Sequence, residues 1–203
     1  MTDYFAVLSQ PRRPWLDADT LKETFHTRAT AVHPDHVHQR EATVREAADA
    51  RHAELNAAYQ CLRNPKLRLE HLLMLERGSK PGDLRTMPDD IVQFFGEVGA
   101  VLRDTNALLA EKSATTSAIL RAGLIEKAMP QLEKLHRLQK AIQTHLDGVT
   151  FDLRALDGDW AASLRDPIRR ETAIATADKL YHLFGFFDRW TGQLRERSFQ
   201  LTI

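Results

Sequence analysis

Over residues 116–146 the apolar positions Leu124, Ala128, Leu132, Leu135, Leu138, Ile142 and Leu146 fall three or four apart, a spacing that only an α-helix gathers into one face. The same period recurs in other stretches bounded by proline or glycine. Leu21, Phe25, Ala29 and Val32 mark a helix that stops at His33-Pro34. Val44, Ala48, Leu55, Ala58, Tyr59 and Leu62 mark a second over about 41–63, ended by Asn64-Pro65. No run of alternating β-branched residues reads as a strand, so the expected fold class is all-α.

Turn and cap residues divide the chain. A short helix over residues 4–8 precedes a loop fixed by Pro11 and Pro14, and Asp17 or Asp19 can cap the helix after it. Leu67, Leu69, Leu72, Leu73 and Leu75 make a leucine-rich helix closed by Gly78. Residues 77–88 hold two glycines and two prolines with little apolar content, so a linker is expected there, between units at 1–76 and 89–203. Beyond it, Asp89 can cap a helix carrying Ile91, Val92, Phe95, Val98, Val101 and Leu102. The helix over 116–146 should be kinked or divided at Pro130 and ended by Gly148, with Asp157-Gly158-Asp159 forming a turn. Asp166-Pro167 opens a last helix to about residue 197, lined by Ile168, Leu180, Leu183, Phe184, Phe187, Trp190 and Leu194. Three long amphipathic helices predict a small three-helix bundle.

Composition excludes several functions. Lys and Arg total 28 and so do Asp and Glu, so the chain lacks the basic excess that favours nucleic acid as a partner. No apolar run approaches the roughly 20 residues that cross a bilayer, and no signal core is present. No membrane association and a cytoplasmic location are therefore expected. The lone cysteine, Cys61, cannot form an internal disulfide and is read as a packing residue. His26, His33, His36 and His38 cluster in sequence; without cysteine support no metal is expected, and His36 and His38 are read as solvated loop histidines. Asp157 and Asp159 lack the rest of a calcium-ligand ladder. With no phosphate loop, nucleophile elbow or His-Glu-x-x-His helix, neither an enzyme nor a cofactor is expected.

One short motif carries chemistry. Pro34 pushes His33 toward extended backbone, so His33-Pro34-Asp35 displays an imidazole and a carboxylate between two helices, an arrangement suited to a partner's cation. The tripeptide follows Asp3-Tyr4-Phe5-Ala6-Val7-Leu8, and the helix after it ends in Ala58-Tyr59-Gln60-Cys61-Leu62. This order resembles a J domain. The opening Asp-Tyr-Phe, and the run from Leu62-Arg63-Asn64-Pro65 to Leu72-Leu73, are similar to co-chaperones of the HscB/Jac type. Lys179-Leu180-Tyr181-His182-Leu183 through Asp188-Arg189-Trp190 is similar to that family's last helix.

The resemblance implies a J domain at 1–76 that docks on a DnaK/HscA-type chaperone and stimulates ATP hydrolysis there. His33, Pro34 and Asp35 would form the docking loop, with Lys22 and His26 at basic positions one helical turn apart. Thr27, Ala31 and His36 stand where the family often carries cations, and Arg28 and Val32 where it often carries Leu and Tyr. Weaker docking is therefore expected, on the order of tenfold for two exposed ion pairs. The bundle at 89–203 would hold the client, in this family an IscU-type iron-sulfur scaffold, through Ile91, Val92 and Phe95. Those residues can equally pack inside the bundle, although Ile91, Val92, Phe94, Phe95 and Val98 together exceed one buried stripe. A monomer or weak dimer is implied. The alternative is a divergent J-like interaction protein with a different client or without productive chaperone coupling.

Overall fold

The computed structural model describes residues 1–32, 42–82 and 88–202, apart from the side chains of Asp90 and residues 118–122. Every regular element among the described residues is helical. Helix α1, Tyr4–Val7, is capped by Asp3, whose Oδ1 accepts from the Phe5 and Ala6 N–H groups at 3.0 and 3.3 Å. Asp17 rather than Asp19 caps α2, Ala18–Ala31, accepting from Thr20 N–H at 2.9 Å. Helix α3, Ala42–Arg63, is followed by α4, Pro65–Arg77. Asn64 caps α4, and Pro65 sits in its first turn, where a missing N–H costs nothing. Gly78 closes α4 in the left-handed region at φ 72°, its N–H reaching the Met74 carbonyl at 2.9 Å.

The remaining elements are α5, Asp89–Ala114; α6, Ala118–Ala162; a 3-10 turn, Ser163–Arg165; and α7, Pro167–Thr202. Asp166 caps α7 as expected, accepting from Ile168 and Arg169 N–H at 3.1 and 3.2 Å. Several local expectations are corrected. Pro88 takes the cap position of α5 without a side-chain bond, and Asp89 already lies in the helix. Helix α6 runs unbroken through Pro130 and Gly148, and Asp157-Gly158-Asp159 is helical rather than a turn. A glycine inside a helix costs about 1 kcal/mol. Leu153, Leu156 and Trp160, buried three or four residues apart beyond Gly148, contribute roughly 2 kcal/mol or more each, which outweighs the local signal. Ile168 does not line α7: it is 79% exposed, and the buried face there runs through Ala173, Ala177 and Leu180.

Two compact units form, one from residues 1–82 with 151–182, the other from 83–150 with 183–203. In the first, α2 and α4 pack on α3, and Phe5, Leu21, Leu55, Leu62, Leu69, Leu72 and Trp160 are each no more than 1% exposed. Phe25 stacks on Tyr59 at 4.3 Å between ring centres, which fixes the rotation of α2. In the second unit, Ile91, Phe94, Val98, Leu135, Ile142, Phe187, Trp190 and Leu194 are buried. Gln131, also buried there, donates to Thr105 Oγ1 at 2.7 Å and to the Val101 carbonyl at 3.0 Å, so its amide nitrogen is partnered.

Candidate functional site

The outward face of α2 is the first candidate surface. Leu21 and Ala29 are buried and Phe25 is held against Tyr59, so Lys22 and His26 stand exposed on the other side, one turn apart. Arg28 is turned inward. Its guanidinium donates to the Val7 carbonyl at 3.1 Å and to Ser9 Oγ, tying α2 to the end of α1. Among the lysines and arginines of α2 only Lys22 is therefore left to the surface. His33, Pro34 and Asp35 lie outside the described residues.

Below this face lies a set of polar contacts that helical periodicity does not reveal. Arg68, 3% exposed, donates from Nε to the Pro14 carbonyl at 2.8 Å and from Nη1 to the Leu62 carbonyl at 2.7 Å. Burial lowers its pKa to about 10, against the raising effect of Asp157. The only sequence signal is that Arg68 shares the period of Leu69, Leu72 and Leu73. Asp157 Oδ1 accepts from Arg13 Nε at 3.0 Å and from Trp15 N–H at 3.3 Å, and Trp160 Nε1 donates to the Arg12 carbonyl at 3.0 Å. Arg154 covers the Trp15 ring at 4.4 Å. Arg170 pairs with Glu76 at 2.7 Å. The loop at residues 10–16, which positions the start of α2, is thus fastened at both ends. Cys61 is half-buried, its thiol pushed up to about 11 by burial and by Glu70, which keeps it protonated and suits the packing role.

The second candidate surface is in the other unit. Ile91, Phe94 and Val98 share one face of α5 and are buried, whereas Val92 and Phe95 are 52% and 48% exposed. Of the three residues expected to meet a client, Ile91 is therefore a core residue, because it sits three and seven positions from Phe94 and Val98. Phe95 contacts the edge of Trp190 at 5.2 Å. Phe186, half-exposed on α7, stacks near the same indole at 6.1 Å with Arg189 over its ring at 5.9 Å. Trp190, itself 5% exposed, supports both phenylalanines, so the apolar surface includes a residue 91 positions from Phe95 that α5 periodicity could not supply. Among the described residues, no group of three or more His, Cys, Asp or Glu side chains could hold a metal, and no helix is long and apolar enough to cross a membrane.

No family model matches the chain. It is 26% identical over 147 residues to the co-chaperone protein HscB homolog of Colwellia psychrerythraea, covering 62% of this chain and 83% of that protein. It is 26% identical over 155 residues to the co-chaperone protein HscB of Proteus mirabilis, covering 75% and 84%. Among solved structures, chaperone HscB from Vibrio cholerae superposes with a TM-score of 0.63 at 22% identity, covering 98% of this chain and 99% of that one. In sequence over most of its length and in fold over nearly all of it, the chain is similar to HscB-type co-chaperones, as the order of its N-terminal motifs predicts.

Proposed function

We propose that the protein is a J-domain co-chaperone, with residues 1–76 as the J domain and 89–203 as the client arm. It docks on a DnaK/HscA-type chaperone through His33-Pro34-Asp35 and the Lys22/His26 face of α2, stimulates ATP hydrolysis on that partner, and delivers an IscU-type iron-sulfur scaffold. The observation that carries this reading is the setting of α2. Phe25, stacked on Tyr59, turns Lys22 and His26 to solvent on the helix that leads directly into the His-Pro-Asp tripeptide. The chain supplies no reacting group of its own in this scheme; it lends a docking surface, and the bond that breaks belongs to the chaperone's ATP. Val92 and Phe95, backed by Trp190 and joined by Phe186, offer the client an apolar patch of the kind that anchors protein partners.

A second reading, a J-like interaction protein without productive coupling, is favoured by the inward turn of Arg28, which leaves α2 poor in surface cations. Single-turnover ATP hydrolysis by the chaperone separates the two. Stimulation by the intact chain that is lost in His33→Gln supports coupling. Absence of stimulation by the intact chain, with a chaperone responsive to its own J protein, selects the second reading.

A further inference from the structure

At one end of the second unit, α5, α6 and α7 bound an open cavity of about 840 Å³, within the range of small-molecule sites. Its walls are mostly apolar, with Ser113, Gln200 and Thr202 at the polar part: Leu109, Leu124, Ile125, Met129 and Leu201 line it, and Ile125 and Met129, one turn apart on α6, remain 65% and 57% exposed. Such side chains next to an empty space normally pack on something. The lining contains one charged group, the half-buried Lys112. Its ammonium donates to the carbonyls of Gln200 at 3.2 Å and Leu201 at 3.3 Å, both neutral acceptors. An ammonium has three N–H donors, so one is unspent. Among the described residues no carboxylate pairs with Lys112; the adjacent Glu111 is engaged by Lys127 at 2.6 Å. A cation at the edge of an apolar hollow, with no carboxylate on it among the described residues, is a place where an anion with an alkyl tail gains twice, once by burial and once by a charge-assisted hydrogen bond.

The geometry points to a binding site for a long-chain carboxylate, with the alkyl chain between α5 and α6 and the carboxylate on Lys112. This site is independent of the chaperone-docking reading.

Isothermal titration of the full chain with decanoate and with decanol, both below the concentrations at which they aggregate, tests it. Decanoate should bind with one-to-one saturation. Decanol, which keeps the tail and loses the charge, should bind on the order of tenfold more weakly. Lys112→Gln should remove the difference between the two ligands. Ala128→Phe, which places a ring at a position lining the cavity, should weaken both. Lys112 also binds the last carbonyls of α7, so the acid-against-alcohol comparison on the unaltered chain stands without any variant. Lack of saturable decanoate binding overturns the site. So does equal affinity for acid and alcohol, or undiminished binding to a folded Ala128→Phe chain.

Discussion

The ring of His71 accepts the backbone N–H of Tyr4 at Nε2, 3.0 Å away, while stacking on the Tyr4 ring at 4.7 Å between centres. One side chain on α4 thereby holds the first residue of α1 by its main chain and by its ring. The bond requires Nε2 to be an unprotonated acceptor. Burial holds the pKa of His71 below the ordinary 6.5, and the nearby Asp3 carboxylate only partly offsets this.

A pH dependence follows, with a definite sign. Above the ordinary value of 6.5 the ring is neutral folded and unfolded, and the contribution of His71 is fully present. As the pH falls from there toward the lower folded pKa, the unfolded chain takes up the proton first and stability declines, by at most about 1.4 kcal/mol per pH unit for one proton. Urea midpoints of the intact chain and of His71→Gln, taken from about pH 7.5 to about pH 5, measure the effect. The glutamine oxygen can accept the Tyr4 N–H without titrating, so the variant should lose part of the acid sensitivity. Identical slopes for the two proteins would refute this role.

Arg68 and Arg77 both occupy α4 and both hold partners, yet their removal should differ several-fold. Arg68→Met leaves the Pro14 and Leu62 carbonyls without their donors, at roughly 1–3 kcal/mol for each buried acceptor, so a loss of about 3 kcal/mol is expected. Arg77 pairs with Asp178 at 2.9 Å, with its side chain 32% exposed, and Arg77→Met should cost no more than about 1 kcal/mol. Denaturant unfolding of the two variants side by side decides it; comparable losses would mean that Arg68 is as replaceable as a surface cation.

Gly148 and Gly158 lie inside α6 with nothing within 4 Å of where a Cβ would project. Gly148→Ala and Gly158→Ala should therefore each stabilise the chain by about 0.5–1 kcal/mol, through the restriction of the unfolded state and the better helix propensity of alanine. Were these glycines true helix stops, alanine would destabilise instead. Their neighbours divide sharply. Asp157→Ala should cost more than Asp159→Ala, because Asp157 holds Arg13 and the Trp15 N–H whereas Asp159 is exposed.

These positions show where local sequence stops informing. The helix stop Gly78 and the cap Asp166 were legible because each acts on backbone groups within four residues of itself, and the buried stripe from Leu124 to Ile142 was legible because it repeats. Gly148 and Asp157-Gly158-Asp159 read as breaks because the groups that override them are distant: Arg13 meets Asp157 from 144 positions away. The candidate surfaces divide in the same manner. That Lys22 and His26 share a face follows from the spacing of one helix, while only the family resemblance singles them out, and the separation of buried Ile91 from exposed Val92 and Phe95 is implicit in the three- and seven-residue offsets to Phe94 and Val98. Phe186 needs the third dimension, since only Trp190 brings it beside Phe95.

The two cations of α2 give the sharpest test of the proposed docking face. Lys22 is exposed, and Arg28 is committed to the Val7 carbonyl and Ser9. An exposed ion pair is worth about 0.2–1 kcal/mol, so Lys22→Ala should raise the concentration needed for half-maximal ATPase stimulation by up to about fivefold, leave thermal stability unchanged and leave the stimulated rate at saturation intact. The shift should shrink as salt is added, since the Debye length falls to about 8 Å at physiological ionic strength. Arg28→Ala should behave in the opposite way, lowering the unfolding midpoint because a carbonyl at the end of α1 loses its donor, with only an indirect effect on stimulation. Concentration-dependent ATPase curves at two ionic strengths, with melting curves for both variants, read the two outcomes separately. A Lys22→Ala protein that matches the unaltered chain at low salt would remove α2 from the docking face and leave any coupling to the His33-Pro34-Asp35 loop alone.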